Sequence, residues 1–111
     1  MASKQSTADY LAEQLAGAGD IRTRKMFGEY ALYCDEKVVA FVCDDQLFIK
    51  PTEVAPNFLG EESLAPAYPG SKDYYRVPED KWDDTAWLCD FIRQTADALP
   101  APKPKKPKKA S

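Results

Sequence analysis

The chain contains no histidine, the side chain that most often serves as a general base near neutral pH and as a nitrogen ligand for zinc, iron or copper. Many enzyme mechanisms are excluded with it. Only three cysteines are present, Cys34, Cys43 and Cys89. They are odd in number, widely spaced and set in apolar sequence, which fits neither a disulfide framework nor a Cys-x-x-Cys metal site. All three are read as reduced and mostly buried. The five glycines form no glycine-rich loop of the kind that cradles phosphate. No apolar run approaches bilayer length, and the opening Met-Ala-Ser-Lys-Gln-Ser-Thr-Ala-Asp lacks the hydrophobic stretch of a secretory signal. A cytoplasmic protein without metal or cofactor is expected.

What is present fits one fold. A length of 111 residues leaves no room for a second independent core. Hydrophobic residues at 44% and charged residues at 30% exclude the low-hydrophobicity signature of disorder for the body. The net charge of −3 hides a division. Five of the fifteen basic residues, Lys103, Lys105, Lys106, Lys108 and Lys109, follow Pro100, whereas all eighteen acids precede it. Ten basic residues against eighteen acids leave the body at −8. Such a body repels polyanions at long range, although a local basic patch can still form on it.

Ser6 or Thr7 is positioned to cap a first helix with Asp9 in its opening turn, and Ala8, Leu11, Ala12 and Leu15 recur at helical spacing until Gly17 and Gly19. Residues 22–27, 30–34, 38–43 and 47–50 are short β-branched and aromatic runs separated by Gly28-Glu29, Asp35-Glu36-Lys37 and Asp44-Asp45-Gln46. That pattern predicts a four-stranded antiparallel meander. The unbroken run 38–43 suits a central strand covered on both faces. Residues 53–59 are expected to form a short helix, 60–73 a loop, and 74–77 a last strand. Pro78, Glu79 and Asp80 give the start signal of a second main helix running to about Leu99, whose stripe of Leu88, Phe91, Ile92, Thr95 and Leu99 should face the sheet. The expected architecture is α+β: a two-layer sandwich in which N-terminal and C-terminal helices pack on an antiparallel sheet of about five strands. It is expected to occupy residues 1–100, with residues 101–111 expected to form a flexible Lys/Pro-rich tail.

The stretch Arg24-Lys25-Met26-Phe27-Gly28-Glu29-Tyr30-Ala31-Leu32-Tyr33, followed by Phe41-Val42-Cys43-Asp44-Asp45-Gln46-Leu47-Phe48-Ile49-Lys50, resembles the signature block of the N-terminal domain of the TfoX/Sxy competence regulators. The resemblance rests on an Arg-x-Met-Phe-Gly turn, a Tyr-x-Leu-Tyr strand and a hairpin ending in Leu-Phe-Ile-Lys. It implies the same two-layer fold and a bacterial regulatory or adaptor domain that acts by protein–protein interaction rather than by catalysis. Family members often carry a second glycine where Glu29 stands and Asp-Gly where Asp35-Glu36-Lys37 stands.

Arg22 and Arg24 alternate along one strand and should share a face, with Lys25 opposite. They either form a small cationic patch for an acidic partner or pair with the body's own carboxylates. Arg22, Arg24, Lys25, Phe27, Gly28, Tyr30 and Trp82 are the partner-binding candidates. Gly28 reads first as a turn residue, and Trp82 as an anchor left partly exposed by its acidic surroundings. Asp35, Glu36, Asp44 and Asp45 read as solvated turn acids rather than a cation site. Cys34 and Cys43 are expected to approach across their hairpin as packing residues. The five tail lysines are the polyanion-binding candidates, able to give weak, salt-sensitive contact with nucleic acid, or else to act only as a solubilising extension.

Overall fold

The computed structural model describes residues 3–26, 28–67 and 70–99. The expectations for Phe27 and for the tail lysines fall outside them. Two helices, α1 (Gln5–Gln14) and α2 (Thr85–Ala98), lie with six strands: β1 (Ile21–Met26), β2 (Glu29–Cys34), β3 (Lys37–Cys43), β4 (Gln46–Ile49), β5 (Leu64–Pro66) and β6 (Asp73–Val77). The strands form one antiparallel sheet in the order β1-β2-β3-β4-β6-β5. The α+β sandwich expected from the sequence is therefore present, with one strand more than the five counted. The additional strand is β5, inside the segment expected to be a loop. Its Leu-Ala-Pro has no strand signature of its own, and pairing with β6 makes it one.

Both helices cover the same face of the sheet. Ala8, Leu11 and Leu15 meet Leu88, Phe91 and Ile92 over Leu32, Val39, Val42, Leu47 and Ile49, all with no exposed surface. Each large aliphatic or aromatic side chain buried this way contributes roughly 1.5–3 kcal/mol. The connection from β4 to β5 runs over the same layer. In it, Phe58 stacks on Phe91 with ring centres 4.5 Å apart and planes 5° from parallel, and only Ala55–Asn57 forms a 3₁₀ turn where a short helix over 53–59 was expected.

The hairpins are tighter than the three-residue breaks suggested. Lys37 and Gln46 belong to strands, leaving Asp35-Glu36 and Asp44-Asp45 as two-residue turns. All four residues have positive φ, 53°, 71°, 54° and 58° in turn. Two left-handed residues in succession give the turn whose twist matches that of the paired strands. Gly28 is likewise left-handed, φ 82°, in the turn joining β1 to β2. In β3 one extra residue, Val39, interrupts the pairing with β2: Leu32 faces Ala40 while Tyr33 faces Val38. Val39 and Ala40 consequently both enter the core.

Two helix starts differ from expectation. Neither Ser6 nor Thr7 caps α1. Asp45, in the β3–β4 turn, accepts hydrogen bonds from the Lys4 backbone N–H at 2.8 Å and the Thr7 hydroxyl at 3.0 Å. Pro78 opens only a 3₁₀ turn, Glu79–Lys81, and α2 begins at Thr85 with Asp84 accepting from the Trp87 N–H at 3.2 Å. The reason is Trp82, which turns into the core between the two elements and donates its indole N–H to the Val77 carbonyl at 3.2 Å. At the other end of α2, the Lys37 ammonium donates to the carbonyls of Ala96 and Leu99 at 2.7 and 3.1 Å, placing a cation on the last carbonyls of the helix. No helix among the described residues is long and apolar enough to cross a membrane.

Candidate functional site

With both helices on one face, the other face of the sheet carries no helix among the described residues and is bare in that sense, although Ala67 packs there against Cys43 and Phe48, leaving them only 5% and 4% exposed. Strand alternation assigns the side chains of this face. The register sets Arg24 beside Ala31, Ala31 beside Phe41, Phe41 beside Phe48 and Phe48 beside Arg76. One row thus crosses five strands, aromatic in the middle and cationic at both ends. The neighbouring row starts Arg22, Tyr33, Val38, and across β4 and β6 Lys50 and Tyr74 fall on the same face by alternation. A small apolar cluster of Cys43, Phe48 and Ala67, with Phe41, Ala65 and Tyr74 half-buried around it, sits on this face apart from the main core. Phe41 and Tyr74 are tilted ring neighbours at 5.6 Å.

The electrostatics of the two faces are opposed. Acids dominate the helical side, where Asp9, Glu13, Glu79, Asp80, Asp83, Asp84 and Asp97 are exposed or lie at its rim. The bare face holds cations. Lys50 is pushed below the usual lysine range by burial and by the nearby charge of Lys72. The acid that alternation brings to this face, Glu29, is taken up at one end, accepting from the Ser3 hydroxyl at 2.6 Å and the Asp44 N–H at 3.1 Å. Arg22 pairs with Asp20 at 3.2 Å in an exposed bridge, whereas Arg24 and Lys25 find no ion-pair partner among the described residues. Met26, next along β1, is 37% exposed and is the one exposed large hydrophobic side chain among the described residues.

The sequence candidates divide accordingly. Arg22, Arg24 and Lys25 are exposed on β1, and Gly28 is in the turn beside them. Tyr30 and Trp82 are each only 6% exposed and lie in the main core, which corrects the partial exposure expected of Trp82. Tyr30 sits on the helical side of β2, opposite Val42, and the acids around Trp82 stay outside while its ring goes in. Arg76, Phe41, Tyr33 and Tyr74 join the bare face only through long-range strand pairing, which no local motif announces.

Cys34 and Cys43 do not approach each other: Cys34 faces Lys37 at one end of the β2–β3 hairpin, Cys43 lies at the opposite end, and they belong to separate clusters. Burial, and secondly the acids beside them, push both thiols up, Cys43 to about 11, away from the reactive thiolate. Among the described residues no three His, Cys, Asp or Glu side chains converge to hold a metal ion. A hollow of about 340 Å³ between α1 and the Glu79–Lys81 turn is lined by Ser6, Thr7, Tyr10, Glu79, Trp82 and Asp83. There the Tyr10 hydroxyl donates to the exposed carboxylate of Asp83, which raises the Tyr10 pKa and makes the phenol a poorer acid.

These features define a small two-layer α+β domain with one acidic, helix-covered face and one bare aromatic face rimmed by arginine. Residues 13–99 match the TfoX N-terminal domain family, and the chain belongs to that family. It is 44% identical over 108 residues to an uncharacterized 12.7 kDa protein in the trpE 5′ region of Spirochaeta aurantia, spanning 97% of this chain and 93% of that one. It is 30% identical over 94 residues to protein Sxy of Escherichia coli strain K12, spanning 78% of this chain but only 44% of Sxy. The chain thus covers nearly all of one relative and less than half of the other.

Proposed function

We propose that this chain is a non-catalytic regulatory or adaptor domain that binds a protein partner through the bare face of its sheet. The observation that carries the reading is the composition of that face. Tyrosine, phenylalanine, methionine and arginine are the residues enriched where proteins meet, and lysine, the cation depleted there, contributes less than arginine to the exposed part. Aromatic rings anchor such contacts with little rotamer entropy to lose. The inert thiols and the missing histidine favour binding over catalysis, and kinship with Sxy favours a regulatory role. The Lys/Pro-rich tail is proposed to add weak, non-specific affinity for polyanions.

Site-specific photocrosslinking tests the interface. A benzophenone amino acid at Phe41 or Tyr33, in cells that make the protein, should give a discrete covalent adduct with one other protein, and the same group at Arg93 on the helical side should not. Adducts only at Arg93, or none at the sheet positions, would overturn the reading.

A further inference from the structure

The two edges of the sheet differ in what they offer. β5 is three residues long and ends in Pro66, which has no N–H for a further strand. β1 is six residues long, has no proline and no irregularity in its pairing. Among the described residues, nothing hydrogen-bonds to its outer backbone edge. An edge of that length is a ready template for another strand.

Its side chains determine which strand fits. β1 carries Arg22, Arg24 and Lys25, all exposed, and no acid. Arg22's bridge to Asp20 is solvent-exposed and contributes little. Two β1 edges laid together would set cation against cation, which is destabilising across strands, so a second copy of this chain is a poor occupant. The acidic remainder of the body repels an acidic partner everywhere except here and on the adjoining face, which steers it to this edge. Met26, exposed at the end of the same strand, offers an apolar contact where the cations stop.

We propose that β1 is the docking edge for an extended acidic segment of a protein partner, which adds to the sheet as a seventh strand. This rests on the reading of the bare face as a protein interface and specifies the partner's chemistry. Carboxylates two positions apart on the incoming strand lie beside Arg22 and Arg24, which share one side of β1. A third, on the strand's other side, reaches Lys25, and an apolar side chain covers Met26. Main-chain hydrogen bonds supply affinity, and the alternating side chains supply selectivity.

Two synthetic peptides of about eight residues test the proposal, one alternating Glu with Val except that a single Val is replaced by Glu to reach Lys25, and ending in Leu, the other with the same charges but proline at the remaining Val positions, which cannot continue a sheet. Titrated into the ¹⁵N-labelled full chain, the first should shift the amides of Ile21–Met26 and slow their hydrogen exchange, and the proline peptide should bind at least about tenfold more weakly. Arg24→Gln should weaken the Glu peptide, and the double variant R22E/R24E, with its dispersed spectrum confirming the fold, should prefer the matching Lys peptide. Equal binding of the proline peptide, shifts confined to other elements, or no response to charge reversal would each overturn the proposal. Failure here is separable from failure of the interface reading. Crosslinks at Phe41 that persist in R22E/R24E would leave the sheet face as the interface and remove β1 from it.

Discussion

The Asp45 carboxylate, at the tip of the β3–β4 hairpin, accepts a hydrogen bond from the backbone N–H of Lys4 at 2.8 Å, so that a turn between strands closes the start of a helix more than forty positions earlier in the chain. Ser3 completes the junction. Its hydroxyl donates to Glu29 and, at 3.1 Å, to the Val42 carbonyl, and accepts from the Asp45 N–H at 3.0 Å. These bonds tie the helix entry to the hairpin in the folded domain.

A pH dependence follows from this junction. The hydrogen bonds from Lys4 and Thr7 hold Asp45 below the usual carboxylate range. A depressed folded-state pKa contributes stability that is present above the unfolded value, about 4, and is lost as pH falls through the folded one. Asp45→Asn keeps the left-handed turn but cannot titrate. Its urea midpoint should lie below that of the parent at pH 7, and the gap should narrow by pH 3. A gap independent of pH would remove the charge from the explanation.

Glu36 stands at φ 71°, a conformation natural to glycine. Most side chains there are strained by about 1–2 kcal/mol, partly offset on replacement by the greater freedom of glycine in the unfolded chain. Glu36→Gly should therefore raise stability by about 0.5–1 kcal/mol in urea denaturation. A loss would show that the glutamate side chain does something the turn geometry does not reveal.

The Thr95 hydroxyl is fully buried, with no hydrogen-bond partner among the described residues. A buried polar group left unpaired destabilises by about 1–3 kcal/mol. Thr95→Val keeps the shape and removes the hydroxyl, so it should stabilise the domain by about 1 kcal/mol, while Thr95→Ser, which keeps the hydroxyl and removes a methyl group, should destabilise it. Thermal melts of the two variants provide the check.

For the tail, fluorescence anisotropy on duplex DNA should find binding by the full chain and none by a chain ending at Pro100. Five lysines release at most a handful of counterions, so the slope of log affinity against log salt should be no steeper than about −4.5. Equal binding by the shortened chain would move the interaction to the body.

The legible parts of the fold are those whose signals are local. The strand runs from Arg22 to Lys50 carry β-branched and aromatic residues between turn residues, and β1 to β4 stand within a residue of the positions read from them. The alternation of Arg22 and Arg24 likewise placed both on one side of β1. The second helix shows where local signals mislead. Pro78-Glu79-Asp80 suits a 3₁₀ turn as well as a helix, and only the core position of Trp82 decides between them. β5 and the contribution of Arg76 depend on pairing with β6 and β4, a long-range event with no sequence signature. The burial of Tyr30 has no local signal, because alternation says which residues share a side of β2 but not which side the helices choose.

The extra residue in β3 also governs the parity of that strand. Counting back from Ala40 with strict alternation, Lys37 would emerge on the bare face. Because Val39 is supernumerary, Lys37 returns to the helical side, and its ammonium reaches the last carbonyls of α2. Where the second helix stops is thus tied to whether one strand is read in odd or even steps. A single-residue insertion in β3 between Lys37 and Val39 would carry a charge from one face of the molecule to the other while leaving every helix residue unchanged.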